Sequence, residues 1–66
     1  MIVRAVYRSR VEYVELKEGA TARDLILRMG LNPSDTVALR MGTPIPLTEH
    51  LQHHEEITLL SVASGG

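Results

Sequence analysis

Ile57-Thr58-Leu59-Leu60-Ser61-Val62-Ala63-Ser64-Gly65-Gly66 closes the chain, and its two halves want opposite things. Ile57 to Val62 is apolar and partly β-branched, fit for a strand covered on at least one face. Alternation puts Ile57 and Leu59 on the covered side and Thr58, Leu60 and Val62 on the other. Ala63-Ser64-Gly65-Gly66 offers almost no side chain to pack. Terminal glycines lose the most conformational entropy on ordering, so residues 63–66 are expected to form a flexible tail that orders only inside a partner.

Such a tail has one reactive group, the α-carboxylate of Gly66, at the end of a thread that can enter a narrow channel because neither Gly65 nor Gly66 carries a Cβ. A carboxylate is a poor electrophile until activated. An adenylating enzyme using ATP and magnesium would convert it to an acyl-adenylate, a mixed anhydride open to a sulfur or amine nucleophile. The plainer reading is a frayed terminus that happens to be Gly-Gly. What favours the chemical reading is the strand directly before the tail and the order of elements upstream.

Composition limits the alternatives. Sixty-six residues make one domain with a single small core. The chain has no cysteine, which removes disulfides, thiolate metal sites, iron–sulfur ligation and a cysteine nucleophile. Its net charge is −1, and no cluster of lysine and arginine is dense enough to track a phosphate backbone, so nucleic acid is not an expected partner. No apolar run is long enough to cross a membrane, and Met1-Ile2-Val3-Arg4 lacks a signal-peptide layout. A soluble, cytoplasmic, monomeric protein is expected.

Upstream of the final strand, Thr21 has the character of a helix N-cap, with Asp24 placed to complete a capping box. Ala22, Leu25, Ile26 and Met29 fall on one stripe, opposite Arg23 and Leu27. Gly30 ends the helix as a C′ glycine, Leu31 can fold back over the last turn, and Asn32-Pro33-Ser34-Asp35 forbids continuation. Before the helix, Met1 to Tyr7 reads as a strand with Val3 and Ala5 inward, since burying Arg4 unpaired is expensive, and Tyr7 near the rim. Arg8-Ser9-Arg10 is a turn, and Val11 to Leu16 returns antiparallel with Val14 and Leu16 as its core pair.

After the helix, Thr36 to Met41 alternates, with Val37, Leu39 and Met41 on one side and Ala38 and Arg40 on the other. Gly42-Thr43-Pro44 is expected to turn the chain, and Pro46 beside Ile45 confines the next strand to a short edge piece. Leu47 to Gln52 suggests one helical turn, and His53-His54-Glu55-Glu56 a polar loop. The order is thus strand, strand, helix, strand, short edge strand, strand, tail, with residues 1–62 as the domain.

In this order of elements the chain resembles the ubiquitin-like β-grasp sulfur carriers, a group that includes the thiamine-thiazole sulfur carrier, the small subunit of molybdopterin synthase and archaeal small modifier proteins. The resemblance covers all 66 residues. It rests on Thr21-Ala22-Arg23-Asp24-Leu25-Ile26 for the helix, Gly30-Leu31-Asn32-Pro33 for its exit, and Val62-Ala63-Ser64-Gly65-Gly66 for the end. It implies an α+β fold with a mixed four- to five-stranded sheet, one main helix and a Gly-Gly tail. It also implies an E1-like adenylating enzyme as partner, ATP and magnesium at that partner, no cofactor on this chain and no enzymatic activity of its own. Delivery would be to a sulfur-acceptor enzyme or to modified proteins. Two departures stand out. His53-His54-Glu55 replaces the Asp/Gly-rich turn common before the last strand, and Leu59-Leu60-Ser61-Val62 lacks the aromatic and proline residues of the molybdopterin type, which favours a thiazole-type or modifier-type carrier.

Beyond Gly65 and Gly66, the residues read as partner-binding are Ala38, Leu60 and Val62 on the outward face, with Arg40 beside them and Ser64 in the tail. An exposed aliphatic cluster of this kind is disfavoured unless something covers it. Lys17 is the sole lysine beside six arginines, and hence the candidate acceptor amine for self-conjugation. His50, His53 and His54 are the only candidates for a metal cluster, but solvated loop histidines are the expected state. Glu49, Glu55 and Glu56 are read as a solvated acidic rim. The competing class is a small noncovalent interaction domain with incidental glycines.

Overall fold

The computed structural model describes residues 1–62. The first strand, β1, is Ile2–Tyr7 and the second, β2, is Arg10–Glu15; they pair antiparallel from Ile2 opposite Glu15 to Tyr7 opposite Arg10. The turn between them is therefore Arg8-Ser9, and β2 starts one residue before the expected Val11. Arg8 takes a φ of 58°, the positive value that matches a tight turn to the twist of its strands. Leu16 lies just past β2 but extends the ladder, exchanging bonds with Met1 in both directions at 2.8 Å.

The helix, α1, spans Ala22–Arg28 and starts as its sequence dictates. The Thr21 side chain accepts from the Asp24 N–H while the Asp24 carboxylate accepts from the Thr21 N–H, a closed capping box. Ala22, Leu25 and Ile26 are fully buried, and Met29 packs beside them. Gly30, with φ of 77°, ends the helix in the left-handed region, and Leu31 folds back to donate to the Ile26 carbonyl at 3.0 Å. A single 3-10 turn, Pro33–Asp35, then leads into β3, Thr36–Arg40.

Two expectations change in the next stretch. The turn after β3 is Met41-Gly42, both with positive φ (52° and 80°), so Met41 leaves the strand and Thr43–Ile45 forms β4 instead of turning. Positive φ at both central positions is the geometry that suits a two-residue hairpin. Leu47 to Gln52 forms no helical turn. The first N–H groups of α1 lack partners within the helix, and this segment supplies them in an irregular path: Ala22 donates to the Glu49 carbonyl and Arg23 to that of Leu47, each at 3.0 Å. Leu51 in turn donates to the Ala20 carbonyl at 2.9 Å and is itself buried.

The last strand, β5, is Glu56–Ser61. The sheet has five strands in the order β2-β1-β5-β3-β4, with β1 and β5 parallel at its centre and the other pairings antiparallel. One face of the sheet meets α1, and Val3, Ala5, Val14, Ala38, Ile57 and Leu59 form the core there with Leu25 and Ile26. Among the described residues, no helix is long and apolar enough to cross a membrane.

Candidate functional site

Strand β5 holds the centre of the sheet, with both of its edges paired and its inward side chains covered by the helix. Ile57 is fully buried and Leu59 nearly so, as their alternation requires. Burial of such side chains is worth about 1.5–3 kcal/mol each, so β5 is fixed up to Ser61. The next residue, Val62, donates its N–H to the Asp35 carbonyl at 2.7 Å. Val62 is thus tied to the turn that precedes β3. Ser64, Gly65 and Gly66 lie outside the described residues.

At this end of β5, Leu60 and Val62 are about half exposed on the sheet face opposite the helix. Their strand register sets the rest of the face. Leu60 lies across from Val37, and Thr58 across from Leu39, with Pro44 opposite Leu39 on β4. Val37 and Leu39 are partly exposed there. The outward aliphatic face predicted around Leu60 is real, but Ala38 is not part of it. Ala38 is fully buried, opposite Leu59 on the core side. The inward set of β3 is Thr36, Ala38 and Arg40, so the more apolar set, Val37 and Leu39, is the one turned away from the helix.

Arg40 is likewise on the core side, at the rim, and does not sit beside Leu60. Its Nε pairs with Glu55, its guanidinium lies 2.7 Å from Glu49 and it also donates to the His50 carbonyl at 3.1 Å. Glu55 closes the cluster by accepting from the Gln52 N–H at 2.8 Å. Burial alone pushes the Glu55 carboxyl up, but Arg40 and the Gln52 N–H outweigh it and hold the group below its ordinary value. The same pairing, with Glu55 and then Glu49, raises the Arg40 pKa. Glu55 is therefore largely buried instead of belonging to a solvated rim, while Glu49 is paired but stays partly exposed. They pin the loop before β5 to β3. Glu56 pairs with Arg4 on the outward face, where the neighbouring Tyr13 hydroxyl and then Glu56 raise the Arg4 pKa.

The three histidines take separate structural partners. His50 lies 2.8 Å from the Gly19 carbonyl through Nδ1, and the His53 Nδ1 accepts from the Ile2 N–H at 2.9 Å. The His53 and His54 rings stack with centroids 3.6 Å apart. Among the described residues, no group of three or more His, Cys, Asp or Glu side chains is placed to hold a metal ion. Lys17 is exposed in the loop after β2, while the Met1 α-ammonium, part-buried, is engaged by the Leu16 carbonyl and lies 3.6 Å from Glu18. Sequence reading missed the Arg40 cluster. The signal available was an arginine in a strand with two glutamates bracketing a later loop, which does not specify a contact.

No protein-family model matches the chain, and no curated protein matches it in sequence. Solved structures do match in shape. SAMP1 from Haloferax volcanii superposes with a TM-score of 0.76 at 20% identity, each chain covered in full. Caldiarchaeum subterraneum ubiquitin gives 0.74 at 18%, covering 100% of this chain and 98% of that one. ATBAG1 in complex with HSP70 gives 0.84 at 11%, but the 97% of this chain that aligns spans only 41% of that protein. With its helix grasped by a five-stranded mixed sheet and with these neighbours, the chain has the ubiquitin-like β-grasp fold.

Proposed function

We propose that this protein is a ubiquitin-like carrier or modifier that acts through the α-carboxylate of Gly66. A partner of the E1-like adenylating class joins that carboxylate to the α-phosphate of ATP, with magnesium, releasing pyrophosphate. Hydrosulfide from a sulfur donor then displaces AMP to leave a thiocarboxylate, or an amine displaces it to leave an amide. The observation that carries the reading is the sequence Ala63-Ser64-Gly65-Gly66 coming directly after a strand rooted at the centre of the sheet. A rigid root and a thread without bulky side chains suit delivery of a carboxylate into a channel. Leu60 and Val62 beside the root, each about half exposed, would meet the partner's surface. The full-length SAMP1 and ubiquitin neighbours support the reading at the level of fold.

The test is intact mass measurement after incubation with the adenylating enzyme from the same cell, ATP and a sulfur donor. Exchange of one terminal oxygen for sulfur, mapped to Gly66, is the expected product. Removing Gly65-Gly66 should abolish it while leaving the fold unchanged. A truncated chain that still performs its cellular role would point instead to a noncovalent interaction domain.

A further inference from the structure

Strand β5 lies between β1 and β3 in the sheet. It runs parallel to β1, with Leu59 opposite Tyr7, so the turn that ends β1 lies at the end of the sheet where β5 runs on to Ser61. It runs antiparallel to β3, with Ser61 opposite Thr36, so the turn that opens β3 lies at that end too. Val62 is therefore flanked by the Arg8-Ser9 turn on one side and by Asp35 on the other.

The two flanks differ in charge. On the β1 side stand Arg8 and Arg10, both exposed. Arg8, at φ 58°, holds its guanidinium carbon 5.2 Å from the centre of the Tyr7 ring, a cation–π contact that positions the charge without neutralising it. Among the described residues Arg8 forms no salt bridge, and the one acid near Arg10 is Glu12 at 3.8 Å. That pair is open to water, with the Arg10 side chain 77% exposed, so it holds Arg10 only loosely. On the β3 side stands Asp35, its carboxylate 3.4 Å from the Asn32 amide, and no lysine or arginine lies between Leu31 and Leu39. The chain as a whole carries a charge of −1, so the positive flank is a local feature.

We propose that the adenylating partner meets the Arg8-Arg10 turn with carboxylates of its own, set at one side of the channel that takes residues 63–66. The inference rests on the carrier reading and adds the polarity of that partner. A protein that closes around the chain beyond Val62 comes up against both flanks at once. Its carboxylates find guanidinium forks on the β1 side. Turned the other way, they face Asp35 and are repelled, so the two flanks select one orientation. Charges at a rim act on encounter and alignment more than on final affinity.

The test is the rate of adenylate formation on the full chain by the adenylating enzyme from the same cell, read as pyrophosphate release. Arg8→Glu with Arg10→Glu should lower kcat/KM about tenfold and leave kcat within about twofold. Arg8→Gln with Arg10→Gln, which introduces no new charge, should lower kcat/KM about threefold, and Arg8→Lys with Arg10→Lys should retain most of it. The wild-type kcat/KM should fall as salt rises from about 50 to about 300 mM, and this dependence should flatten in the glutamate pair. Arg23→Glu with Arg28→Glu makes the same change in net charge on exposed positions of α1 and should not reproduce the loss. A wild type that is adenylated, with the same kcat/KM as the glutamine pair or with the loss confined to kcat, overturns the docking and leaves the carrier reading standing. An equal loss from the α1 reversal also overturns it, by showing that net charge alone matters. A wild type that is never adenylated overturns both readings.

Discussion

Val62 donates its N–H to the carbonyl of Asp35 at 2.7 Å, so the last residue before the Ala-Ser-Gly-Gly end is fastened to the turn that precedes β3. Val62→Pro removes that donor. The expected loss of stability is about 1 kcal/mol, the usual net value of one hydrogen bond, because Val62 is exposed and packs little. If Gly66 is activated as proposed, its activation should slow by more than that loss accounts for, since the proposed delivery depends on a fixed root. Urea denaturation and the rate of adenylate formation check both parts. Activation at the wild-type rate would show that the Asp35 contact does not matter for delivery.

Leu25 and Leu60 should behave as opposites. Leu25 is fully buried beneath the sheet, and Leu25→Ala should cost about 2–5 kcal/mol, enough to threaten a domain this small. Leu60→Asp on the outward face should change stability by less than about 0.5 kcal/mol while weakening binding to the activating enzyme. Denaturation midpoints and calorimetric affinity separate the two effects.

Acid should release the loop before β5. Glu55 has a carboxyl held below its ordinary value in the fold. Its contribution is therefore present above the unfolded carboxylate value of about 4.3, and it is lost as pH falls through the lower folded value. Glu55→Gln should cost about 1–2 kcal/mol at neutral pH, with the difference from wild type shrinking once both are below that value. A constant difference from pH 7 to pH 3 would mean that the Arg40 pairing contributes nothing.

The Met41-Gly42 turn is open to improvement. Met41 sits at φ 52° with 96% of its surface exposed, so its side chain gains no packing to offset an unfavourable conformation. Asparagine tolerates this region better, and Met41→Asn should stabilise the protein by about 0.5 kcal/mol. Gly42→Ala, at φ 80°, should destabilise it by about 1 kcal/mol. Chemical denaturation of the two variants gives the sign of each.

If the protein is conjugated to others, self-linked chains should run through Lys17, the sole lysine. The competing nucleophile, the Met1 α-ammonium, is engaged by the Leu16 carbonyl at 2.8 Å. Lys17→Arg with a blocked N-terminus should leave single additions only, as mass mapping of conjugates purified from cells would show. Self-linked chains surviving in that variant would disprove the assignment.

Sequence alone determined the elements whose signals are local. The Thr21–Asp24 box, the Ala22-Leu25-Ile26 stripe and the Gly30 stop depend on residues within a few positions of one another, and all formed as read. The same holds for Val3 and Ala5 in β1 and for Ile57 and Leu59 in β5, where one alternating set is clearly the more apolar. In β3 the more apolar set, Val37 and Leu39, faces outward, and Ala38 turns inward with Thr36 and Arg40, so alternation alone does not say which face meets the helix. Tertiary structure turned Ala38 inward, placing it opposite the buried Leu59. Arg40 went with it to that side because Glu49 and Glu55, far away in sequence, compensate its charge there. The 47–52 segment gave up its helical turn for a similar reason, as its carbonyls satisfy the start of a helix formed elsewhere. Partners separated by many residues leave no periodic trace in a sequence, and only the fold brings them within bonding distance.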